Sequence, residues 1–122
     1  MAARVLIAED EANISESLSF ILSREGHTVS TVADGEAALQ QLRHGLPDLL
    51  ILDVMLPGRN GFEVLKAIKA DARLQSLPVI VLTAKTQQRD REMAESIGAA
   101  AYLTKPFANR DLVEQVRRLT TA

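Results

Sequence analysis

The sequence predicts a doubly wound α/β domain, in which helices cover both faces of a parallel β-sheet. Two observations predict this fold. Short apolar runs alternate along the chain with stretches of helical spacing. The run Leu49–Asp53 is apolar up to its final carboxylate, as expected for a strand that is buried on both faces of a parallel sheet. Such alternation requires right-handed crossovers, which place helices on both sides of the sheet.

Five strands are expected, and polar residues stand at or just beyond the ends of four of them. Each strand contains an apolar or β-branched run. The expected strands cover residues 4–9, 28–32, 49–53, 79–83 and 101–104.

Four of the five expected helices have a clear apolar stripe. Gly26 ends the first helix, Asp34 is placed to cap the second, and Gly45 with Pro47 ends the second. The residues expected to face inward are Ile14, Leu18, Ile21 and Leu22 in the first helix, Ala37, Ala38, Leu39 and Leu42 in the second, Phe62, Leu65 and Ile68 in the third, and Leu112, Val113, Val116 and Leu119 in the fifth.

The fourth helix differs from the others. Residues 86–92 are all polar, and only Met93, Ala94 and Ile97 are available to anchor the helix. The simplest interpretation is a solvated, charged helix face. Because the segment lies beside the candidate site, we also expect a weakly held helix of low local stability.

Composition restricts the classes of function. The 122 residues suffice for one domain that removes roughly two-thirds of its unfolded surface from water, and we expect residues 1–122 to form this domain with no effector domain in the chain. The absence of cysteine excludes disulfides and thiolate sites. With 14 basic and 16 acidic residues, no direct nucleic-acid binding is expected. No apolar run could form a signal peptide or membrane span, so we expect a cytoplasmic protein that does not bind membranes.

Polar groups are expected to meet at the carboxyl ends of four strands. If those strands are neighbours, Glu9 and Asp10, Asp53, Thr83 and Lys105 share one edge of the sheet. Crowded carboxylates repel one another unless a hard divalent cation such as Mg²⁺ or Mn²⁺ binds between them. Asp53 could then act as a nucleophile on phosphorus. The cation and Lys105 would balance charge on the phosphoryl oxygens, and Thr83 could donate a hydrogen bond to one of them.

Each of these groups alone also has a purely structural interpretation. Glu9 and Asp10 could cap a helix, Asp53 could be a turn residue, Thr83 could satisfy a backbone group, and Lys105 could be a solvated surface lysine. Four separate strand ends that each present a suitable group favour the functional interpretation.

These residues resemble the receiver domain of two-component response regulators. The resemblance extends from Val5 to Leu119 and implies the flavodoxin-like strand order 2-1-3-4-5. It is carried by Glu9-Asp10, by Asp53 in Leu-Asp-Val-Met-Leu-Pro-Gly, by Leu82-Thr83-Ala84, and by Tyr102-Leu103-Thr104-Lys105-Pro106-Phe107.

The resemblance also implies roles for individual residues. Asp53 would be the phosphoacceptor, Asp10 a direct metal ligand, and Glu9 an outer ligand acting through water. The main-chain carbonyl of Met55 would be a further ligand, and the Lys105-Pro106 peptide would be cis. Such a domain catalyses its own phosphorylation and dephosphorylation without being a conventional enzyme.

Some positions vary within the family. Met55 stands where some receivers carry Asn, so its side chain offers no hydrogen bond to phosphate or water, and we expect an effect on rate without loss of metal binding. Glu9 replaces a common Asp with a longer side chain. Ala84 leaves room for a phosphodonor, and Lys85 lies at the rim of the site.

The resemblance implies a phosphorylation switch. A histidine kinase or histidine phosphotransfer protein would phosphorylate Asp53, Thr83 would move toward the phosphoryl group, and Tyr102 would turn inward. The surface of the fourth helix, fifth strand and fifth helix would report the change to a downstream protein target or separate effector. A dimer could form through the same surface.

Three other classes of protein fit these residues less well. A flavin or nucleotide site would need phosphate-binding backbone groups where this chain has Glu9, Asp10 and Glu11. A small aspartate-dependent phosphatase would need a second acid at the position of Met55. An interaction domain that is never phosphorylated would have no use for the complete acidic pocket.

Overall fold

The fold is a five-stranded parallel sheet with the predicted strand order 2-1-3-4-5, in which the strands are numbered along the chain. The computed structural model describes residues 3–58, 60–84 and 88–120. Strands and helices alternate from end to end: β1 (Arg4–Ala8), α1 (Ala12–Arg24), β2 (Thr28–Val32), α2 (Gly35–His44), β3 (Leu49–Asp53), α3 (Gly61–Ala70), β4 (Val79–Ala84), α4 (Gln88–Ile97), β5 (Ala101–Lys105) and α5 (Asn109–Thr120).

The predicted strands are confirmed, with differences of one residue at three ends. β1 stops at Ala8, although the N–H of Glu9 still donates to Val32 O at 3.0 Å. β4 and β5 each continue one residue further than predicted, because Ala84 pairs with Lys105. Strand ends are the least regular part of a ladder, and differences of this size are usual there.

Both faces of the sheet are buried, which accounts for the unbroken apolar run of β3. Leu49 and Ile51 belong to a core shared with α1 and α5, and Leu50 and Leu52 belong to a core shared with α2 and α3. All four side chains are fully buried. Burial of each contributes roughly 1.5–3 kcal/mol relative to an exposed side chain. The apolar run therefore holds Asp53 at a rigid end of the central strand.

The helix signals of the sequence are largely confirmed. Gly26 follows α1 with a φ of 92°, and the Asp34 side chain accepts a hydrogen bond from the N–H of Ala37 at 2.7 Å. Most of the predicted inward-facing residues are buried; the half-buried ones are Ile14, Ile21, Ala37, Phe62, Val113 and Leu119.

Helix α4 contributes little to the core. Ala94 is its one fully buried residue, Ile97 is half-buried, and Met93 is 44% exposed. Thr86 and Gln87, the first residues of the predicted polar run, lie outside the described residues. Of the described helices, none is long and apolar enough to cross a membrane.

The loop after β3 fixes the backbone of Asp53. Asn60 caps α3 by accepting a hydrogen bond from the N–H of Glu63 at 3.0 Å, and the N–H of Gly61 donates to Val54 O at 3.1 Å. A Cβ atom at Gly61 would lie 2.4 Å from Asp53 O, a distance that requires the backbone to move. On the other side of the site, the Lys105-Pro106 peptide is cis, as expected.

We therefore predict that Gly61→Ala destabilises the domain by about 1–3 kcal/mol, the usual cost of forcing an extra carbon into a packed site. Gly45→Ala is the matched control, since its Cβ would meet its nearest neighbour at an ordinary 3.6 Å. Urea unfolding of both variants measures the difference. Equal stabilities would contradict the close packing of Gly61 against Asp53.

Candidate functional site

Asp53 lies at the carboxyl end of β3 with both carboxylate oxygens engaged. Its side chain is 3% exposed. Lys105 Nζ donates to Oδ2 at 2.9 Å, and the N–H of Met55 donates to Oδ1 at 3.0 Å. The carboxylate is thus oriented by one long-range contact and one local contact.

Two further acids follow β1 and face the same point. Glu9 is fully buried, and its Oε1 lies 3.0 Å from Lys105 Nζ in an ion pair that lacks hydrogen-bond geometry. Its Oε2 accepts a hydrogen bond from the N–H of Glu11 at 3.1 Å. Asp10 is exposed to solvent. One oxygen from each of Glu9, Asp10 and Asp53 lies within 4.8 Å of the others.

These charges perturb one another. The pKa of Glu9 is raised to about 7, chiefly by burial and also by the neighbouring Asp53 carboxylate, while Lys105 and the N–H of Glu11 act in the opposite direction. Burial alone would lower the pKa of Lys105, but its contacts with Asp53 and Glu9 raise it above its usual range. Lys105 therefore stays protonated, and its single positive charge does not balance the negative charge of the three acids.

Thr83 is fully buried at the end of β4, and among the described residues its hydroxyl has no hydrogen-bond partner. A buried polar group without a partner costs roughly 1–3 kcal/mol. Among the described residues, the structural interpretation in which Thr83 satisfies a backbone group finds no support. Its hydroxyl is available to an incoming acceptor.

Strand alternation places the site residues on two sides of the sheet. Glu9, Asp53 and Lys105 continue the strand positions that face α1 and α5. Thr83 continues the positions that face α2 and α3, and Tyr102 packs on that same side. Tyr102 pairs with Val81, so Thr83 is its neighbour two residues further along β4.

Tyr102 is half-buried and contacts α4. The guanidinium of Arg91 lies over its ring, 4.3 Å from the centroid, and Arg91 Nη2 donates a hydrogen bond to its hydroxyl. Sequence reasoning missed Arg91 because a contact across 11 residues has no local signal. It also missed the close approach of Gly61 to the backbone of Asp53.

The remaining predicted site residues are placed as follows. The Met55 side chain is 72% exposed beside the site, and its N–H bonds to Asp53. Lys85 lies outside the described residues, and only the backbone of Ala84 is described. The three acids fit a hard divalent cation, because carboxylate oxygens are the ligands such cations prefer.

Comparison with known proteins identifies the family. A model of the response regulator receiver domain matches residues 5–117. The chain belongs to this family. Receiver domains are the phosphorylation-controlled modules of two-component signalling, and the family typically binds Mg²⁺ in an acidic pocket such as the one formed here.

Two curated relatives illustrate the similarity. The chain is 38% identical over 117 residues to the phosphate regulon transcriptional regulatory protein PhoB of Escherichia coli (strain K12), covering 96% of this chain and 51% of that protein. It is 39% identical to the DNA-binding response regulator MtrA of Mycobacterium tuberculosis, with 96% and 50% covered. The chain thus spans about half the length of these relatives.

Solved receiver structures match the whole fold. A response regulator from Chloroflexus aurantiacus J-10-fl has a TM-score of 0.95 at 35% identity, covering 98% of both chains. The chemotaxis response regulator CheY4 of Vibrio cholerae has a TM-score of 0.90 at 31% identity, covering 98% of this chain and 99% of that one.

The raised pKa of Glu9 predicts a pH dependence of stability in the metal-free protein. The folded chain holds this proton with a pKa of about 7 instead of the usual 4.5, so it binds more protons than the unfolded chain between these values. The free energy of unfolding should therefore fall as pH rises from 4.5 to 7, by roughly 3 kcal/mol at most.

Urea unfolding in the presence of a chelator measures this slope. Glu9→Gln should remove it, whereas Glu11→Gln, which changes an exposed neighbouring acid, should retain it. An unchanged slope in Glu9→Gln would mean that another group carries the proton.

Proposed function

We propose that this receiver domain accepts a phosphoryl group on Asp53 from a phosphohistidine of a kinase or phosphotransfer protein. One observation carries the proposal. Lys105 Nζ lies 2.9 Å from the Asp53 carboxylate, while the buried hydroxyl of Thr83, on the adjacent strand β4, lacks a partner among the described residues. A cation thus contacts a carboxylate that is held in a fixed orientation, and a hydroxyl donor stands near the end of the adjacent strand.

The transfer would be a displacement at phosphorus. An oxygen of Asp53 forms a bond to phosphorus, the P–N bond of the donor breaks, and the imidazole leaves with the electron pair. Lys105 balances the charge that develops on the phosphoryl oxygens, and Thr83 donates its hydroxyl hydrogen to one of them. Thr83 thereby gains a partner that the described residues do not provide.

A divalent cation fits the same pocket. Asp10, Asp53 and the Met55 carbonyl would bind Mg²⁺ or Mn²⁺ directly, and Glu9 would act through water. When bound, the cation supplies positive charge that offsets the crowded acids and the phosphoryl oxygens. Asp10, which is exposed, leaves this side of the pocket open to solvent.

A groove beside the pocket suits the phosphodonor. Its volume is about 460 Å³, and it is continuous with the site because Lys105 lines both. Its apolar walls are Ile14 and Ile21 of α1 and Phe107 after β5. We propose that the helix bearing the donor histidine packs in this groove and directs its imidazole toward Asp53.

Output would follow from the new charge. Phosphorylation adds about 1.5–2 negative charges at Asp53, which draws Thr83 toward the phosphoryl group. Tyr102, its neighbour on the same side of the sheet, then moves into the vacated space, and the surface of α4, β5 and α5 changes shape. That surface would act on a downstream protein target or a separate effector.

Incubation with a small phosphodonor and Mg²⁺ tests the proposal. Intact-mass spectrometry should show that the wild type gains one phosphoryl group and that Asp53→Asn gains none, because the amide oxygen is a poor nucleophile. Glu11→Gln, with its exposed side chain, should behave as the wild type. A wild type that gains nothing, or an Asp53→Asn chain that gains as much, would refute it.

The Met55 side chain is exposed beside the site but cannot form a hydrogen bond to the water that attacks the phosphoryl group. We therefore predict slow hydrolysis of the aspartyl phosphate. Met55→Asn should shorten the phosphoryl half-life about fivefold, the effect of one hydrogen bond of about 1 kcal/mol to the attacking water. The affinity for Mg²⁺ should not change, because the proposed ligand is the main-chain carbonyl.

Met55→Leu is the matched control, since it conserves volume and offers no hydrogen bond. Half-lives are read from the decay of the phosphorylated mass after the donor is removed. Equal half-lives for the two variants would contradict a role for this position in hydrolysis.

A further inference from the structure

Arg91 is an exposed residue of α4 that contacts the Tyr102 side chain in two ways. Its guanidinium carbon lies 4.3 Å from the centre of the ring, and its Nη2 donates a hydrogen bond to the hydroxyl. A planar guanidinium can stack on a ring and donate at its edge at the same time, which a lysine ammonium cannot do as well. Both the plane of the ring and the direction of the hydroxyl are therefore constrained.

Helix α4 has few other attachments. It packs against α3, β4 and β5, but only Ala94 is fully buried. Within the described ranges, the contact between Arg91 and Tyr102 is the one side-chain hydrogen bond or ion pair that joins α4 to another element. A helix with so small a buried surface depends strongly on such a contact.

The contact ends close to the candidate site. Tyr102 pairs with Val81, and Thr83 is the next residue of β4 on the same side of the sheet. Thr83 carries the buried hydroxyl that lacks a partner among the described residues. Arg91 thus contacts the side chain that is the diagonal neighbour of Thr83 on the sheet.

We infer that Arg91 is a positioning residue that holds Tyr102 and α4 together in the unphosphorylated domain. Loss of Arg91 frees the tyrosine ring and loosens the helix, so the rearranged state becomes less costly to reach. The consequence for signalling rests on the proposed function; the contact itself does not, because it exists without a phosphoryl group.

The chain offers a specific probe of this contact. It contains one tyrosine and no tryptophan, so its tyrosine fluorescence reports Tyr102 alone. Acrylamide quenching of this fluorescence measures the exposure of the ring, and amide hydrogen exchange over Gln88–Ile97 measures the stability of α4. Both are measured on the unphosphorylated protein without added metal.

In Arg91→Gln, quenching should rise about twofold and α4 exchange should speed up about fivefold, the factor that corresponds to an interaction of about 1 kcal/mol. Arg91→Lys, which keeps a cation near the ring, should restore part of both signals. Arg89→Gln removes an exposed arginine from the same helix and should leave both unchanged. In a Tyr102→Ala background, Arg91→Gln should no longer accelerate exchange.

Two results would overturn the inference. One is that quenching and α4 exchange are the same in Arg91→Gln as in Arg89→Gln, and the other is that Arg91→Gln still accelerates exchange fully in the Tyr102→Ala background.

A second experiment follows phosphoryl uptake from a small donor with Mg²⁺, which Arg91→Gln should accelerate severalfold. If neither the wild type nor Arg91→Gln takes up a phosphoryl group, while quenching and α4 exchange respond as expected, the proposed function fails and the positioning role stands. If the wild type and Arg91→Gln are phosphorylated equally, and quenching and α4 exchange do not change, the positioning role fails and the proposed function stands.

Discussion

Three carboxylates and one ammonium crowd together at the carboxyl edge of the sheet. Glu9, Asp10 and Asp53 converge within 4.8 Å, and Lys105 pairs with two of them. With all three acids ionised, the pocket has a formal charge of −2, and Glu9, the most buried, responds with a raised pKa. Repulsion among the carboxylates favours the binding of positive charge in this pocket and opposes any closer approach of the three acids.

Around this pocket, strands with many buried side chains lie beside a helix with few. β1 and β3 lie in the middle of the sheet with apolar neighbours on both faces, and they fix Glu9 and Asp53. α4 lies beside the sheet with one fully buried residue and a single side-chain contact to Tyr102 within the described ranges. The candidate site residues Glu9 and Asp53 thus stand at the ends of deeply buried strands, beside a helix with little buried surface.

Local patterns predicted the alternation of strands and helices, and the resemblance to receiver domains added the strand order, which the structure confirms. The apolar run of β3, the Asp34 cap and the turn at Gly26 each depend on a few adjacent residues, and the strand ends then brought Glu9, Asp53 and Lys105 together. Two features could not be predicted: the contact between Arg91 and Tyr102, and the absence of a partner for the Thr83 hydroxyl among the described residues. Both depend on how side chains from distant segments pack. The raised pKa of Glu9 likewise follows from burial, which residue spacing does not reveal.

The most direct test of the central claim is to locate the phosphoryl group on the chain. Borohydride reduces an aspartyl phosphate to homoserine but leaves phosphate esters intact, so peptide mapping after phosphorylation and reduction identifies the acceptor residue. If Asp53 is the phosphoacceptor, we expect homoserine at position 53 and at no other aspartate position. Homoserine at position 10 instead, or an intact phosphate ester on Thr83, would contradict it.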